Sequence, residues 1–257
     1  MTNKIYLWED EVPNQKKDKK EAIIELDKRD NITKIIKVTN PLIEVFEPEE
    51  KINNGKAILI CPGGSYKILA LDLEGIEPAL WLTKLGYTAY VLQYRVPNNT
   101  EGAFNDIQRA FKLINKNFNH KKLGVLGFSA GGNLCARLST NFSTYSYRLI
   151  DEADKEDCKP DFTLLIYPAY LDLGENNTVS LNLLKDKNLA PIFIFGTEDD
   201  PYYNNTIVFS DYLKIINCDF ELQTLPNGNH GYGLRKGNKA AETWPILAEK
   251  WLNSITK

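Results

Sequence analysis

From about residue 32 onward, short apolar runs alternate with segments whose apolar residues recur at helical spacing. KAILICP (56–62), YTAYVLQYRV (87–96), KLGVLGF (122–128), DFTLLIYP (161–168) and PIFIFGT (191–197) are nearly continuous in apolar residues, which predicts strands buried on both faces, as in a parallel sheet. ITKIIKV (32–38) and LIEVFEP (42–48) predict two more strands split by the turn signal Asn40-Pro41, and FELQTLP (220–226) a last, more exposed strand. The intervening stretches read as helices. GIEPALWLTKLG (75–86) sets Ala79, Leu80, Leu82 and Leu85 on one side and stops at Gly86. FNDIQRAFKLINKNF (104–118) places Phe104, Ile107, Ala110, Phe111, Ile114 and Phe118 at i, i+3, i+4 spacing, and 205–217 and 243–255 repeat the pattern. Strand and helix in alternation predict an α/β fold with a doubly wound sheet and right-handed crossovers.

Nothing in the sequence marks an internal repeat or a linker, so 1–257 is expected to be a single domain, with 1–30 as an N-terminal extension and the polar stretch 143–160 as a surface insertion. At 43% hydrophobic and 25% charged residues, with a net charge of −3, the chain has the composition of an ordinary globular protein. Its densest basic run, Lys16-Lys17-Asp18-Lys19-Lys20, is broken by an acid and followed by Glu21, so a solvated face fits better than a nucleic-acid footprint. No stretch reaches the ~18 apolar residues of a membrane span, and MTNKIYLWEDEVPN has no apolar core of a signal peptide. The expected partners are therefore neither nucleic acid nor membrane. Cys61, Cys135, Cys158 and Cys218 show no C-x-x-C spacing, and only two histidines accompany them, too few for a zinc cluster. Reduced thiols in a cytoplasm are the expectation.

The candidate chemistry begins at Gly127-Phe128-Ser129-Ala130-Gly131, a G-x-S-x-G between an apolar strand and the helix-compatible run GGNLCARLS. The same residues suit either a serine that caps a helix or a nucleophile on a sharp strand-to-helix turn. A serine nucleophile needs a base. His120 precedes the strand that carries Ser129 and belongs at the opposite end of the sheet, whereas His230 lies in the glycine-rich loop PNGNHGYG after the last predicted strand. The imidazole in turn needs an acid to orient it. PIFIFGTEDDPYY offers Asp199 and Asp200, with Glu198 nearer the strand end, and the spare aspartate is expected to cap the helix that starts near Asn204. ICPGGSY (60–66) ends a strand in two glycines. The Gly64 amide, with Gly63 or Ser65 behind it, joins the Ala130 amide as the expected oxyanion hole.

These segments carry a resemblance to the α/β-hydrolase superfamily, and within it to the acetyl-xylan-esterase-like branch of small carbohydrate esterases. It rests on LWEDEVPN, VTNPLIEVFEP, ILICPGGSYKILALDLEG, ALWLTKLGYTAYVLQYRV, FNDIQRAFKLI, GVLGFSAGGNL, LLIYPAY, FIFGTEDDPYY and PNGNHGYGL, from about residue 6 to residue 235. The resemblance implies a mostly parallel central sheet flanked by helices, with no large lid domain. It implies Ser129 as nucleophile and His230 as base. It also implies Asp199 rather than Asp200 as the acid, because the family pattern T-x-D counts two residues on from Thr197. Ser65 stands where the family commonly has a third glycine, Asn133 where histidine is frequent, and Tyr202 and Tyr203 where the continuation is usually apolar.

The implied activity is a serine carboxylesterase for acetyl esters of carbohydrates such as acetylated xylan or xylo-oligosaccharides, working without metal or cofactor. The short segment 169–190 leaves the site open, and Tyr66, Tyr170 and Tyr232 are expected to rim it, since aromatic faces pack well on sugar rings. A peptidase or amidase on the same scaffold and a catalytically silent binding module are the other readings.

Overall fold

The computed structural model describes residues 3–15, 19–28, 31–173 and 178–256. Residues 16–18 of the basic run, the first two and last two residues of the expected N-terminal extension, and 174–177 of the segment 169–190 fall outside these ranges. The described chain runs β1 (Asn3–Tyr6), β2 (Ile23–Asp27), β3 (Ile32–Lys37), β4 (Leu42–Phe46), β5 (Lys56–Cys61), β6 (Leu69–Ala70), a π-helical turn (Asp72–Ile76), α1 (Glu77–Lys84), β7 (Thr88–Gln93), α2 (Thr100–Asn117), β8 (Lys122–Phe128), α3 (Ala130–Thr140), β9 (Thr163–Ile166), β10 (Ile192–Thr197), α4 (Tyr203–Ile215), β11 (Phe220–Leu225) and α5 (Lys239–Ile255).

The main sheet has eight strands in the order β1-β4-β7-β5-β8-β9-β10-β11. β1, β4 and β7 pair antiparallel, and every pairing from β7 through β5 to β11 is parallel. The continuous apolar runs form the middle of it. Every residue of β7, β9 and β10 is buried, as are Leu123–Phe128 of β8, because helices cover both faces. β2, β3 and β6 form a separate three-stranded antiparallel sheet. The expected strand 32–38 therefore belongs there and not in the main sheet. α2 buries Phe104, Ile107, Ala110, Phe111 and Ile114, and the Asn99 side chain caps it by accepting the Gly102 N–H. In α1, Pro78, Ala79 and Leu82 are buried, whereas Leu80, expected on the same side, is 48% exposed.

Two expected appendages are built into the body. β1 is the antiparallel edge of the main sheet, and the chain after it buries Leu7, Trp8 and Val12 in the core. Trp8 Nε1 donates to the Asp106 carboxylate (2.9 Å), which also receives the Arg95 N–H (2.9 Å) and Arg95 Nε (2.9 Å to Oδ2), all deeply buried. The stretch 143–160 is anchored by buried Tyr147 and Cys158, and by Arg109, whose Nη1 and Nη2 donate to Asp151 (2.7 and 2.5 Å). Among the described residues no inserted domain stands over the sheet, and no helix is long and apolar enough to cross a membrane.

Candidate active site

Parallel strands discharge their loops at one end, so the chain just after β5, β8, β9, β10 and β11 converges there. Ser129 follows β8 directly and has φ 49° and ψ −117°, a backbone state that an L-residue occupies only under constraint. The flanking glycines make this sharp turn possible. A Cβ on Gly127 would collide with the Gly131 carbonyl, and one on Gly131 with the Cys61 carbonyl of β5. Ser129 holds the N-cap position of α3, yet its side chain makes no capping bond. Its hydroxyl instead lies 2.8 Å from His230 Nε2.

The other ring nitrogen of His230 lies 2.7 Å from Asp200 Oδ2. With Nδ1 donating to that carboxylate, Nε2 is left as the acceptor for the Ser129 O–H. Asp200 is 5% exposed, and its Oδ1 accepts the Tyr202 N–H (2.7 Å). Thus Asp200, and not Asp199, pairs with the imidazole. The reason is the turn after β10. The Asp200 N–H bonds back to the Thr197 carbonyl (3.1 Å), which swings Asp200 inward and leaves Asp199 exposed. Asp199 does not cap α4 either. Its carboxylate accepts the N–H groups of Gly228 (3.0 Å) and Asn229 (2.8 Å), and the Asn229 N–H above all holds it below the usual aspartate range. Asp199 therefore pins the loop that carries His230. Thr197 Oγ1, donating to the Asn229 carbonyl (2.9 Å), pins the same loop.

His120, by contrast, sits before β8 and bonds Tyr90 Oη through Nε2 (2.8 Å), away from Ser129. In the loop after β5, the Gly63 N–H donates to the buried Glu74 carboxylate (2.7 Å), so the second choice for an oxyanion donor is already committed. Gly64 has φ 128° and Ser65, at φ 57°, is exposed. Among the described residues, neither the Gly64 N–H nor that of Ala130, the first residue of α3, is committed to a partner.

Two of the three expected tyrosines meet. Tyr66 and Tyr170 stack with ring centroids 6.4 Å apart, and the Tyr66 O–H donates to Asn133 Oδ1 (2.7 Å). Both line a cavity of about 620 Å³ with Asn133, Arg137, Asn182 and Asn205. Tyr232 is absent from that cavity. It is buried edge-on against Tyr167, with centroids 4.4 Å apart. Tyr202 takes the place expected for it, 4.9 Å from the His230 ring and 5.8 Å from that of Tyr170. The sequence signal for Tyr202 was its departure from an apolar continuation; that for Glu74 was nil, since one glutamate just before the predicted helix 75–86 has no mark of burial. Neither the cavity beside Tyr66 and Tyr170 nor a larger one, about 1000 Å³ between the N-terminal segment and residues 145–151, is lined by Ser129, Asp200 or His230; the smaller one borders His230 through Tyr202.

No protein-family model matches the chain. It is 28% identical to the acetylxylan esterase of Xylanibacter ruminicola over 82% of its length, and 30% identical to endo-1,4-beta-xylanase B of Butyrivibrio fibrisolvens over 68%. It spans 47% and 32% of the length of those two relatives. Among solved structures, the acetyl ester-xyloside bifunctional hydrolase of Caldicellulosiruptor lactoaceticus superposes with a TM-score of 0.77 at 28% identity, covering 99% of this chain and 96% of that one. Near-complete structural overlap, a parallel sheet with a serine on the turn after β8, and sequence similarity over most of the chain agree: the chain has the α/β-hydrolase fold and resembles the acetylxylan-esterase-like branch of that superfamily.

Proposed function

We propose that the chain is a serine carboxylesterase that hydrolyses short-chain, principally acetyl, esters of carbohydrates such as acetylated xylan or xylo-oligosaccharides. The observation that carries this reading is the hydrogen-bonded chain from Ser129 Oγ through His230 to Asp200, set on a strained strand-to-helix turn. Ser129 Oγ attacks the ester carbonyl while His230 Nε2 takes its proton, and Asp200 holds the ring and stabilises the imidazolium. The Gly64 and Ala130 amides hold the oxyanion, each worth roughly 3–4 kcal/mol in the transition state. His230 then protonates the leaving alcohol as its C–O bond breaks, and water, deprotonated by the same ring, releases the acid from Ser129. These steps call for no cofactor.

The carbohydrate preference is supported by the relatives, one of which is an acetylxylan esterase, and by the hydroxyl- and amide-rich cavity beside the His230 ring, with Tyr66, Tyr170 and Tyr202 on its wall. A cytoplasmic setting is supported by four free thiols, three of them buried. Labelling by a fluorophosphonate tests the nucleophile. The wild type is expected to gain one adduct, located on Ser129 by peptide mass spectrometry, and Ser129→Ala to gain none. Release of acetate from acetylated xylo-oligosaccharides, followed by proton NMR, tests the substrate class. Labelling without acetate release would keep the serine hydrolase and discard the carbohydrate ester.

A further inference from the structure

One buried acid beside the site takes no part in the proton relay. Glu74, 4% exposed, lies in the π-helical turn before α1 and is gripped from two sides. Its Oε2 accepts the Gly63 N–H (2.7 Å) and its Oε1 the Tyr167 O–H (2.8 Å). Tyr167 Oη in turn accepts the Gly233 N–H (3.1 Å), and the Gly233 carbonyl accepts Trp244 Nε1 (2.7 Å). One carboxylate thus ties together the loop after β5, the residue after β9 and the loop that carries His230.

The contacts around this tie are close. A Cβ on Gly63 would stand 2.6 Å from Glu74 Oε2, 2.7 Å from the Phe128 carbonyl and 2.9 Å from the Ser129 Cβ, so Gly63 is wedged between the acid and the nucleophile's turn. The Gly63 N–H belongs to the Pro62–Gly63 peptide, so its bond to Glu74 fixes the peptide unit one residue before the Gly64 amide. Tyr167 carries a left-handed backbone, φ 39°, and presents its ring edge-on to His230 with centroids 5.1 Å apart. Burial pushes the Glu74 carboxyl above the usual glutamate range, against the pull of the Tyr167 and Gly63 hydrogen bonds and of the nearby His230. An apolar residue of similar size would cost the fold less than a buried carboxyl. The acid's value lies in tying the loop after β5, through Tyr167, to the loop that carries His230.

We infer that Glu74, acting through Gly63 and Tyr167, is a positioning residue for acyl transfer on Ser129: it sets the oxyanion loop and the histidine loop in register with the nucleophile. This rests on the esterase reading above. A misplacement of about 1 Å in such a site costs on the order of 100-fold in rate.

The test compares wild type, Ser129→Ala, Glu74→Gln, Tyr167→Phe and the double variant on p-nitrophenyl acetate, with kcat, KM and Tm measured for each. Glu74→Gln turns an amide N–H₂ toward one of two donors, and Tyr167→Phe deletes only the bridging hydroxyl. Each is expected to lower kcat about 10- to 100-fold with KM within about twofold, and the double variant to fall no further than the weaker single one, because the two groups act as a unit. If Glu74→Gln does not fold, Tyr167→Phe decides alone. A kcat per folded molecule equal to wild type, with only Tm lowered, overturns the inference, and so does a change confined to KM. Either result leaves the esterase reading intact provided Ser129→Ala is dead. A wild type with no esterase activity overturns both.

Discussion

Asp199 and Asp200 are chemically identical neighbours after one strand, yet they do opposite jobs. Asp200 is buried against His230, whereas Asp199 is exposed and holds backbone N–H groups of the histidine loop. In an acyl-transfer mechanism only the first stabilises the imidazolium. Asp200→Ala is therefore expected to lower kcat for p-nitrophenyl acetate by about 10³- to 10⁴-fold. Asp199→Ala is expected to stay within about tenfold of wild type, since it loosens a loop that Thr197 Oγ1 also holds. Steady-state kinetics of the two variants side by side checks this, and the reverse order would put the acid at Asp199. Ser129 and His230 were legible in the sequence because glycines and strand ends mark their surroundings. The choice between the two aspartates was not, because it turns on a hydrogen bond from the Asp200 N–H to the Thr197 carbonyl that shifts the count by one residue. Counting two residues from Thr197 pointed to the wrong carboxylate for the imidazole.

Among the elements, those buried on both faces announced themselves, as did β3, β4 and the edge strand β11, whereas β1, β2 and β6 did not. β5, β7, β8 and β10 are apolar throughout or nearly so, and no helix-like period competes with that signal. β1 escaped because it is four residues long and mostly exposed, with no alternation to read, and β6 because it is only two residues long. α5 begins at Lys239, capped by Asn238, and runs through Pro245, so a proline that suits a first turn stands inside the helix instead. The N-terminal segment matters energetically because Trp8 completes the buried cluster around Arg95 and Asp106. Removing one partner of such a pair strands the other charge away from water. Asp106→Ala is expected to destabilise the protein by about 3–5 kcal/mol, read as a lower urea midpoint at unchanged slope. A midpoint within error of wild type would mean that Arg95 finds other partners at no cost.

On the scale of the whole molecule, the strand order explains how four distant stretches of sequence come to share one site. Ser129 leaves β8 and His230 follows β11, three strands away across β9 and β10. At ~4.8 Å per strand, the histidine loop must reach back roughly 14 Å. Asp199, Thr197 and Asn238 hold it there, Asn238 through the Gly228 carbonyl (2.9 Å). The chain order Ser, Asp, His made this arrangement predictable once the sheet was read as parallel, while the tie through Glu74 was invisible, being a product of packing and not of pattern. The central claim, a short-chain esterase with Ser129 as its nucleophile, is tested most directly by hydrolysis of p-nitrophenyl acetate, butyrate and octanoate by wild type and Ser129→Ala at equal protein concentration. Activity that falls steeply with acyl length and vanishes in the variant is the predicted result; an inactive wild type, or activity that survives in Ser129→Ala, would contradict it.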